Sequence, residues 1–180
     1  MKTSTNRMVK IGMLSALSLV LMLLIRFPLI PAAPYLEYEP ADIPIMIAGF
    51  MFGPLYGLIA TLVVSLVQAL TVSAGAGPVG FIMHVVATGA FVVTASSIYK
   101  RVHTLKGAII GLVAGTLAMT LIMIPTNLII QPNFYGVPYD AVVALLPTAL
   151  IPFNIIKAGI NSILTMLIYK SLRKVFDRIR

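Results

Sequence analysis

The amino-acid sequence predicts an all-α integral membrane protein with six transmembrane helices and both termini in the cytoplasm. Of the 180 residues, 59% are hydrophobic and only 10% are charged, whereas a soluble domain carries about 25% charged residues. Several apolar stretches approach the length of about 20 residues that a helix needs to cross the hydrocarbon core. Most basic residues lie at the chain ends and in one short loop, which indicates membrane topology rather than nucleic-acid binding.

The first apolar stretch, residues 8–25, predicts a mature transmembrane helix. A cleaved signal peptide is the competing interpretation, but the run is too long for such a segment and no small-residue cleavage site follows it. Residues 26–42, with the sequence RFPLIPAAPYLEYEPAD, contain four prolines. Because proline disfavours a helix interior, this segment predicts an ordered loop.

The next apolar stretch, residues 43–71, would be about 43 Å long as one helix, which is too long for a simple span. The dipeptide Gly53-Pro54 interrupts it, and we therefore divide it into spans 43–52 and 55–71. Three more spans follow at residues 79–99, 107–130 and 147–169. The segments SAGAG, KRVHTLK and 131–146 connect them.

Charge supports this count of six spans. Three clusters hold 11 of the 13 basic residues: Lys2, Arg7 and Lys10; Lys100, Arg101 and Lys106; and Lys170, Arg173, Lys174, Arg178 and Arg180. The positive-inside rule assigns all three clusters to the cytoplasm, and only the division at Gly53-Pro54 satisfies it. The same topology assigns four acids, Glu37, Glu39, Asp42 and Asp140, to the outer side. We interpret residues 1–180 as a single six-helix membrane domain.

The composition also excludes several kinds of chemistry. The chain has no cysteine and only two histidines, so no metal site is expected. The sequence contains no P-loop, no H-E-x-x-H motif and no G-x-S-x-G motif, and we therefore do not expect an enzyme. No pair of intramembrane carboxylates is visible, which argues against a self-sufficient secondary transporter.

The last span carries the most informative polar residues. Asn154, Lys157 and Asn161 stand at positions i, i+3 and i+7 and therefore share one helical face. A lysine and two amides in an apolar helix are costly unless they face a polar cavity or each other. This face predicts a binding site for a small molecule rich in hydrogen-bond acceptors. The alternative is that Lys157 snorkels to the interface and the asparagines join helices.

Other residues are candidates for the same site. Asn127 lies near the outer end of the fifth span, and Gln68 lies near the end of the third span, where it either faces the cavity or bridges helices. Aromatic side chains on the outer side could cover a ligand, namely Tyr35, Tyr38 and Phe153. By contrast, His84 stands alone on an apolar helix and is expected to be hydrogen-bonded in the core rather than to bind a ligand.

Four sequence segments, in this order, carry a more specific resemblance: YLEYEPADIPIMIAGFMFGPLYGLI, SAGAGPVG, MIPTNLI and PFNIIKAGINSILTMLIYK. Together they resemble the membrane-embedded substrate-binding (S) components of energy-coupling factor (ECF) vitamin transporters, most closely the riboflavin-specific branch. The resemblance implies a six-helix subunit in the membrane of a prokaryotic cell. Such a subunit captures a vitamin and docks on a transmembrane coupling protein that two cytoplasmic ATPases drive. Riboflavin would be the transported substrate, and no cofactor is implied.

The resemblance also implies roles for individual residues. The riboflavin-contacting amides and lysine of the family correspond to Asn127, Asn154 and Lys157. The family docks through two small residues four positions apart on the first helix, and Gly12 and Ala16 have this spacing, with internal packing as the alternative role. S components for pantothenate or pyridoxine share the architecture, so these vitamins are alternative ligands.

Overall fold

The chain folds into seven helices and one short hairpin within the residues that the structure describes. This computed structural model describes residues 2–31 and 33–178, with side chains from 5 to 31 and from 33 to 169. The side chains of the predicted basic tail, residues 170–180, lie outside this set. The helices are α1 (Lys2–Leu24), α2 (Asp42–Phe52), α3 (Pro54–Leu70), α4 (Gly77–Arg101), α5 (Leu105–Tyr135), α6 (Tyr139–Leu145) and α7 (Ile151–Arg178). The predicted all-α class is confirmed.

In the described part of the chain, four helical stretches are long and apolar enough to cross a membrane: Thr5–Leu24, Ala74–Arg101, Leu105–Tyr135 and Tyr139–Tyr169. The helices α2 and α3 are apolar but shorter. Each of the six predicted spans overlaps one of these six stretches. The cytoplasmic placement of the termini and the single domain over residues 1–180 stay predictions.

A glycine separates α2 from α3 at the predicted interruption. Gly53 has a φ of 100°, a backbone conformation that favours glycine because it has no Cβ. Its N–H donates to the carbonyl of Gly49 over 2.9 Å, which closes the end of α2. Pro54 then occupies the first position of α3, where its missing N–H costs nothing.

The segment 131–146 is mostly helical rather than a plain connection, so this part of the prediction is wrong. Helix α5 continues through Pro132 to Tyr135 and ends where Gly136 adopts a φ of 66°. Helix α6 follows after three residues and passes through a π-helical turn, Leu146–Leu150, into α7. A membrane helix tolerates an internal proline because neighbouring groups can satisfy the carbonyl that the proline leaves free.

Close backbone packing joins the central helices. Helix α4 lies against α5, and a Cβ atom added to Gly111 would meet the carbonyl oxygen of Ala95 at 2.6 Å. A Cβ added to Gly57 would meet a Val92 methyl carbon at 2.4 Å. Phe91 and Val92 are fully buried in this core. The small residues therefore permit a helix separation that side chains would prevent.

The loop between α1 and α2 folds back over the helix ends. Strand β1 (Phe27–Pro28) pairs antiparallel with β2 (Glu37–Tyr38), with Phe27 opposite Tyr38. Tyr38 and the residues that follow it to the start of α2 are almost all buried. This hairpin brings the acidic end of the loop into the interior of the bundle.

Candidate ligand-binding cavity

A cavity of about 190 Å³ lies beneath the loop of residues 26–42, between α3, α4, α5 and α7. Six of the predicted site residues line it: Tyr35, Gln68, Asn127, Phe153, Asn154 and Lys157. They come from four separate segments of the chain, the loop, α3, α5 and α7, so the fold and not the local sequence brings them together. Tyr38 and Asn161, the other two predicted residues, do not line the cavity.

The polar face of α7 divides between the cavity and the interior. Lys157 is 6% exposed, and its Nζ lies 3.4 Å from Oε1 of Glu39. Lys157 is therefore buried and paired, and does not snorkel to the surface. One turn further along, Asn161 is fully buried; its Nδ2 donates to Oδ2 of Asp42 over 3.0 Å, and its Oδ1 accepts from the Tyr38 hydroxyl over 3.0 Å.

Glu39 is a cavity residue that the sequence analysis missed. It is 4% exposed and lines the cavity, and its place on the outer side of the membrane stays a prediction. Its Oε1 accepts from Nε2 of Gln68 over 2.8 Å as well as from Lys157. Burial alone would raise the pKa of Glu39, but the charges of Lys157 and His84 and these hydrogen bonds outweigh it, so the pKa lies below its usual value. Glu39 is therefore an anion at neutral pH.

Asp42, a second acid that the sequence predicts on the outer side of the membrane, is fully buried at the first residue of α2. Its Oδ1 accepts from the Thr88 hydroxyl over 2.8 Å. Glu39 and Asp42 are therefore two buried carboxylates, one in the loop and one at the start of α2. The four prolines predicted that this loop is ordered. No local pattern in the sequence indicated that it turns into the bundle.

His84 lies between these two carboxylates. Its Nδ1 is 2.7 Å from the Ser65 hydroxyl oxygen, and its Nε2 is 3.6 Å from Glu39 and 3.7 Å from Asp42. The expectation that His84 is hydrogen-bonded in the core agrees with this geometry, yet the residue also lines the cavity. The imidazole therefore places a polar ring, rather than an apolar side chain, between the two buried carboxylates.

The amides of α5 and α7 are held by their own helices. Asn127 Nδ2 donates to the carbonyl of Met123, and Asn127 Oδ1 accepts from Gln131. Asn154 Nδ2 donates to the carbonyl of Leu150, at the end of the π-helical turn. The carboxamide oxygen of Gln68 is buried without a hydrogen-bond partner in the described part of the chain. Such an acceptor suits an N–H or O–H group of a ligand.

The mouth of the cavity is more open. Tyr35 lines it and is 59% exposed. Arg26 pairs with Glu37 and donates to the carbonyl of Val72 over 2.9 Å, so it ties the loop to the end of α3. Burial and the nearby charge of Asp42 raise the pKa of the Tyr38 hydroxyl. This hydroxyl therefore stays protonated and donates to Asn161.

The lining of the cavity combines charged, amide and aromatic side chains. Among the described residues, no three His, Asp or Glu side chains are arranged to hold a metal ion. The lining combines a lysine, a carboxylate and three amides with Phe153, whose ring centre lies 5.9 Å from Lys157 Nζ. A flat polar molecule could satisfy these groups while covering the aromatic ring.

The two predicted docking residues lie on a different surface. Gly12 and Ala16 are exposed on α1, whereas Ile11 and Leu14 of the same helix are buried. No atom lies within 4 Å of a Cβ added to Gly12. Internal packing within the described chain therefore does not explain the small residue at this position.

Comparison with known proteins identifies the family. The family model for the substrate-specific component of ECF transporters matches residues 6–169. This chain belongs to the ECF transporter S components. The chain is therefore a membrane protein of a transporter family rather than of an enzyme family, and the resemblance noted in the sequence is confirmed.

Several curated S-component relatives cover nearly the whole chain. Riboflavin transporter RibU of Staphylococcus aureus (strain TCH60) is 35% identical over 97% of this chain and 94% of its own length. Riboflavin transporter FmnP of Bacillus subtilis (strain 168) is 28% identical over 97% and 96% of the two chains. A solved structure, described as the S component of a bacterial ECF transporter, has a TM-score of 0.84 and 35% identity, and the match covers 96% of this chain and 98% of that one.

Proposed function

We propose that this chain is the riboflavin-binding subunit of an ECF-type importer and that it binds the vitamin in the cavity beneath the loop of residues 26–42. The observation that carries the proposal is the convergence of Asn127, Asn154 and Lys157 on one buried cavity. These three residues match the riboflavin-contacting positions of the family that the sequence resembles. Relatives named as riboflavin transporters, 28–35% identical to this chain, support the same ligand.

The chemistry of the lining fits a flavin. The pyrimidine edge of the ring carries carbonyl groups, which accept hydrogen bonds, and an N–H group, which donates one. Lys157 supplies donors, and each amide can both donate and accept after its side chain rotates. The buried Gln68 oxygen and the Glu39 carboxylate accept hydrogen bonds from N–H or O–H groups. Pantothenate is the poorer fit, because its carboxylate would lie near Glu39, which is itself an anion.

Titration of the detergent-purified protein with riboflavin tests the ligand. We expect quenching of riboflavin fluorescence that saturates at about one ligand per chain, because one cavity holds the predicted site. Pantothenate and pyridoxine should not displace the flavin. Absence of quenching, together with tight binding of either competitor by calorimetry, would reject riboflavin and keep the family.

The chain would act with partners and would hydrolyse nothing itself. Family membership supports a transmembrane coupling protein and two cytoplasmic ATPases as those partners, with the termini of this chain in the cytoplasm of the cell. No cofactor is needed, since riboflavin is the cargo. We assign docking to the exposed face of α1 around Gly12 and Ala16, where small residues allow a partner helix to approach closely.

Bulky substitutions on α1 test the docking face. Gly12→Trp and Ala16→Trp should abolish uptake of radiolabelled riboflavin and co-purification with the coupling protein, while ligand affinity changes by less than about threefold. Ile110→Trp is the matched control, because Ile110 is 59% exposed near the start of α5. Normal uptake by both α1 variants would contradict docking at this face. Uptake by the chain alone in ATP-free liposomes would instead favour a self-sufficient transporter.

A further inference from the structure

Four buried polar side chains form a continuous hydrogen-bonded chain beside the cavity. The Tyr38 hydroxyl donates to Asn161 Oδ1 over 3.0 Å, and Asn161 Nδ2 donates to Asp42 Oδ2 over 3.0 Å. The other oxygen of Asp42 accepts from the Thr88 hydroxyl over 2.8 Å. All four residues are at most 4% exposed. The chain connects the end of the loop, the start of α2, α4 and α7.

We propose that this hydrogen-bonded chain is a brace that positions Glu39 for ligand binding. Tyr38 and Asn161, which the sequence analysis assigned to ligand contact, then act through Glu39 as positioning residues. The inference rests on the proposed function for its ligand, but the brace itself does not depend on which vitamin binds.

The placement of Glu39 within the brace supports this role. Glu39 directly follows Tyr38 and lies three residues before Asp42, so the backbone is fixed on both sides of the cavity carboxylate. Its Oε1 lies 2.8 Å from Gln68 Nε2 and 3.4 Å from Lys157 Nζ. Because hydrogen bonds weaken steeply with distance and angle, a small shift of this segment would break both contacts.

Helix α7 aligns the brace with Glu39. Lys157 and Asn161 are four residues apart and therefore lie on the same helical face. Asn161 holds the loop segment, while Lys157 pairs with the carboxylate of that segment. One rigid helix thus fixes both the backbone of residues 38–42 and the charge that Glu39 faces. Neither Tyr38, Asp42 nor Asn161 lines the cavity, so their effect on a ligand must pass through other residues.

A double-mutant cycle tests the route through Glu39. Tyr38→Phe removes only the hydroxyl, and we expect it to weaken riboflavin binding about tenfold, which corresponds to 1.4 kcal/mol. In a Glu39→Gln background the same change should weaken binding by less than about twofold. An equal factor in both backgrounds would mean that Tyr38 acts on the ligand directly or on the whole fold, and would overturn the proposal. Tyr56→Phe, on α3 near the break after α2, is the control for loss of a tyrosine hydroxyl.

A second measurement needs no ligand. The chain has no cysteine, so Ala41→Cys introduces a single thiol at a fully buried position between Glu39 and Asp42. If the brace holds this segment, Tyr38→Phe should accelerate thiol labelling at least about fivefold, since the segment then opens more often, and Tyr56→Phe should not. Equal labelling rates for the two variants would overturn the brace. If the parent protein does not bind riboflavin, the proposed function fails, and the labelling comparison alone decides the brace.

Discussion

The two halves of the helix bundle use opposite packing chemistry. Around the cavity, the buried contacts are ionic and hydrogen-bonded, as between Lys157 and Glu39 or between Asn161 and Asp42. In the other half, aromatic rings pack against one another and glycines allow close helix approach. The ring centres of Phe50 and Tyr99 are 4.6 Å apart, and a Cβ added to Gly111 would meet the carbonyl oxygen of Ala95. Under the proposed function, ligand recognition and bundle stability therefore belong to separate parts of the molecule.

Energetic considerations support this division. Burying charges costs several kcal/mol per ion, and pairing repays that cost only when the geometry is good, so apolar packing is often as stable. Apolar residues in the polar half would therefore give the bundle about the same net stability as the ionic groups do. Under the proposed function, these ionic groups are explained by binding of the ligand. The opposite half gains its stability from close van der Waals contact, which tolerates no added volume.

The largest effect is expected in the polar half, from Lys157→Met. The substitution leaves Glu39 buried without its cationic partner, and breaking one side of such a pair costs about 3–5 kcal/mol. We expect riboflavin affinity to fall at least about 100-fold and thermal stability in detergent to drop. Adding Glu39→Gln should restore much of the stability but not the binding. Unchanged affinity in Lys157→Met would place the ligand elsewhere.

A substitution in the glycine-packed half should change stability and leave binding intact. In Gly111→Ala the new methyl group would meet a backbone oxygen at 2.6 Å, and overpacking of this kind costs about 1–3 kcal/mol. Thermal unfolding measures the loss, while riboflavin titration of the folded fraction should match the parent. Gly12→Ala is the matched control, because its methyl group would meet no atom within 4 Å. If both alanine variants were equally stable, close packing of α4 and α5 would not stabilise the bundle.

Acid should destabilise the polar half through Glu39. Its pKa in the folded protein lies below the ordinary value of 4.5, so it contributes stability above that pH, which is lost as the pH falls through the lowered value. The free energy of unfolding measured from pH 7 to pH 3 should therefore fall less in Glu39→Gln than in the parent. Identical pH profiles would argue against an ionised, paired Glu39.

The smallest effect is expected from Tyr99→Phe in the aromatic cluster. The Tyr99 and Tyr169 hydroxyl oxygens are 3.1 Å apart, and losing one such hydrogen bond costs about 0.5–1.5 kcal/mol. The ring remains, so its contact with Phe50 should persist. Thermal unfolding should show a small decrease and ligand titration none. A large loss of riboflavin affinity would mean that the two halves are coupled.

The sequence predicted the parts of the site that lie on regular helices. Asn154 and Lys157 follow from a helical period, and Asn127 and Gln68 from polar residues near helix ends. The helical period could not show that Asn154 and Lys157 line the cavity whereas Asn161 does not. The three residues share one face, and which of them reaches the cavity depends on the loop segment packed against that face. The burial of Glu39 and Asp42 could not be predicted, because a loop has no period and its inward turn depends on the β1–β2 pairing and on partners more than 100 residues away.

The most direct test of the division between the two halves measures how fast a single introduced cysteine is labelled with and without bound ligand. Ser73→Cys places a thiol on the cavity wall, and Ser97→Cys places one on α4 in the opposite half; the parent has no other thiol. Saturating riboflavin should slow maleimide labelling of Ser73→Cys at least about tenfold, because a ligand that occupies the cavity excludes the reagent, and should leave Ser97→Cys unchanged. Equal labelling of Ser73→Cys with and without bound riboflavin would contradict the assignment of the ligand to this cavity.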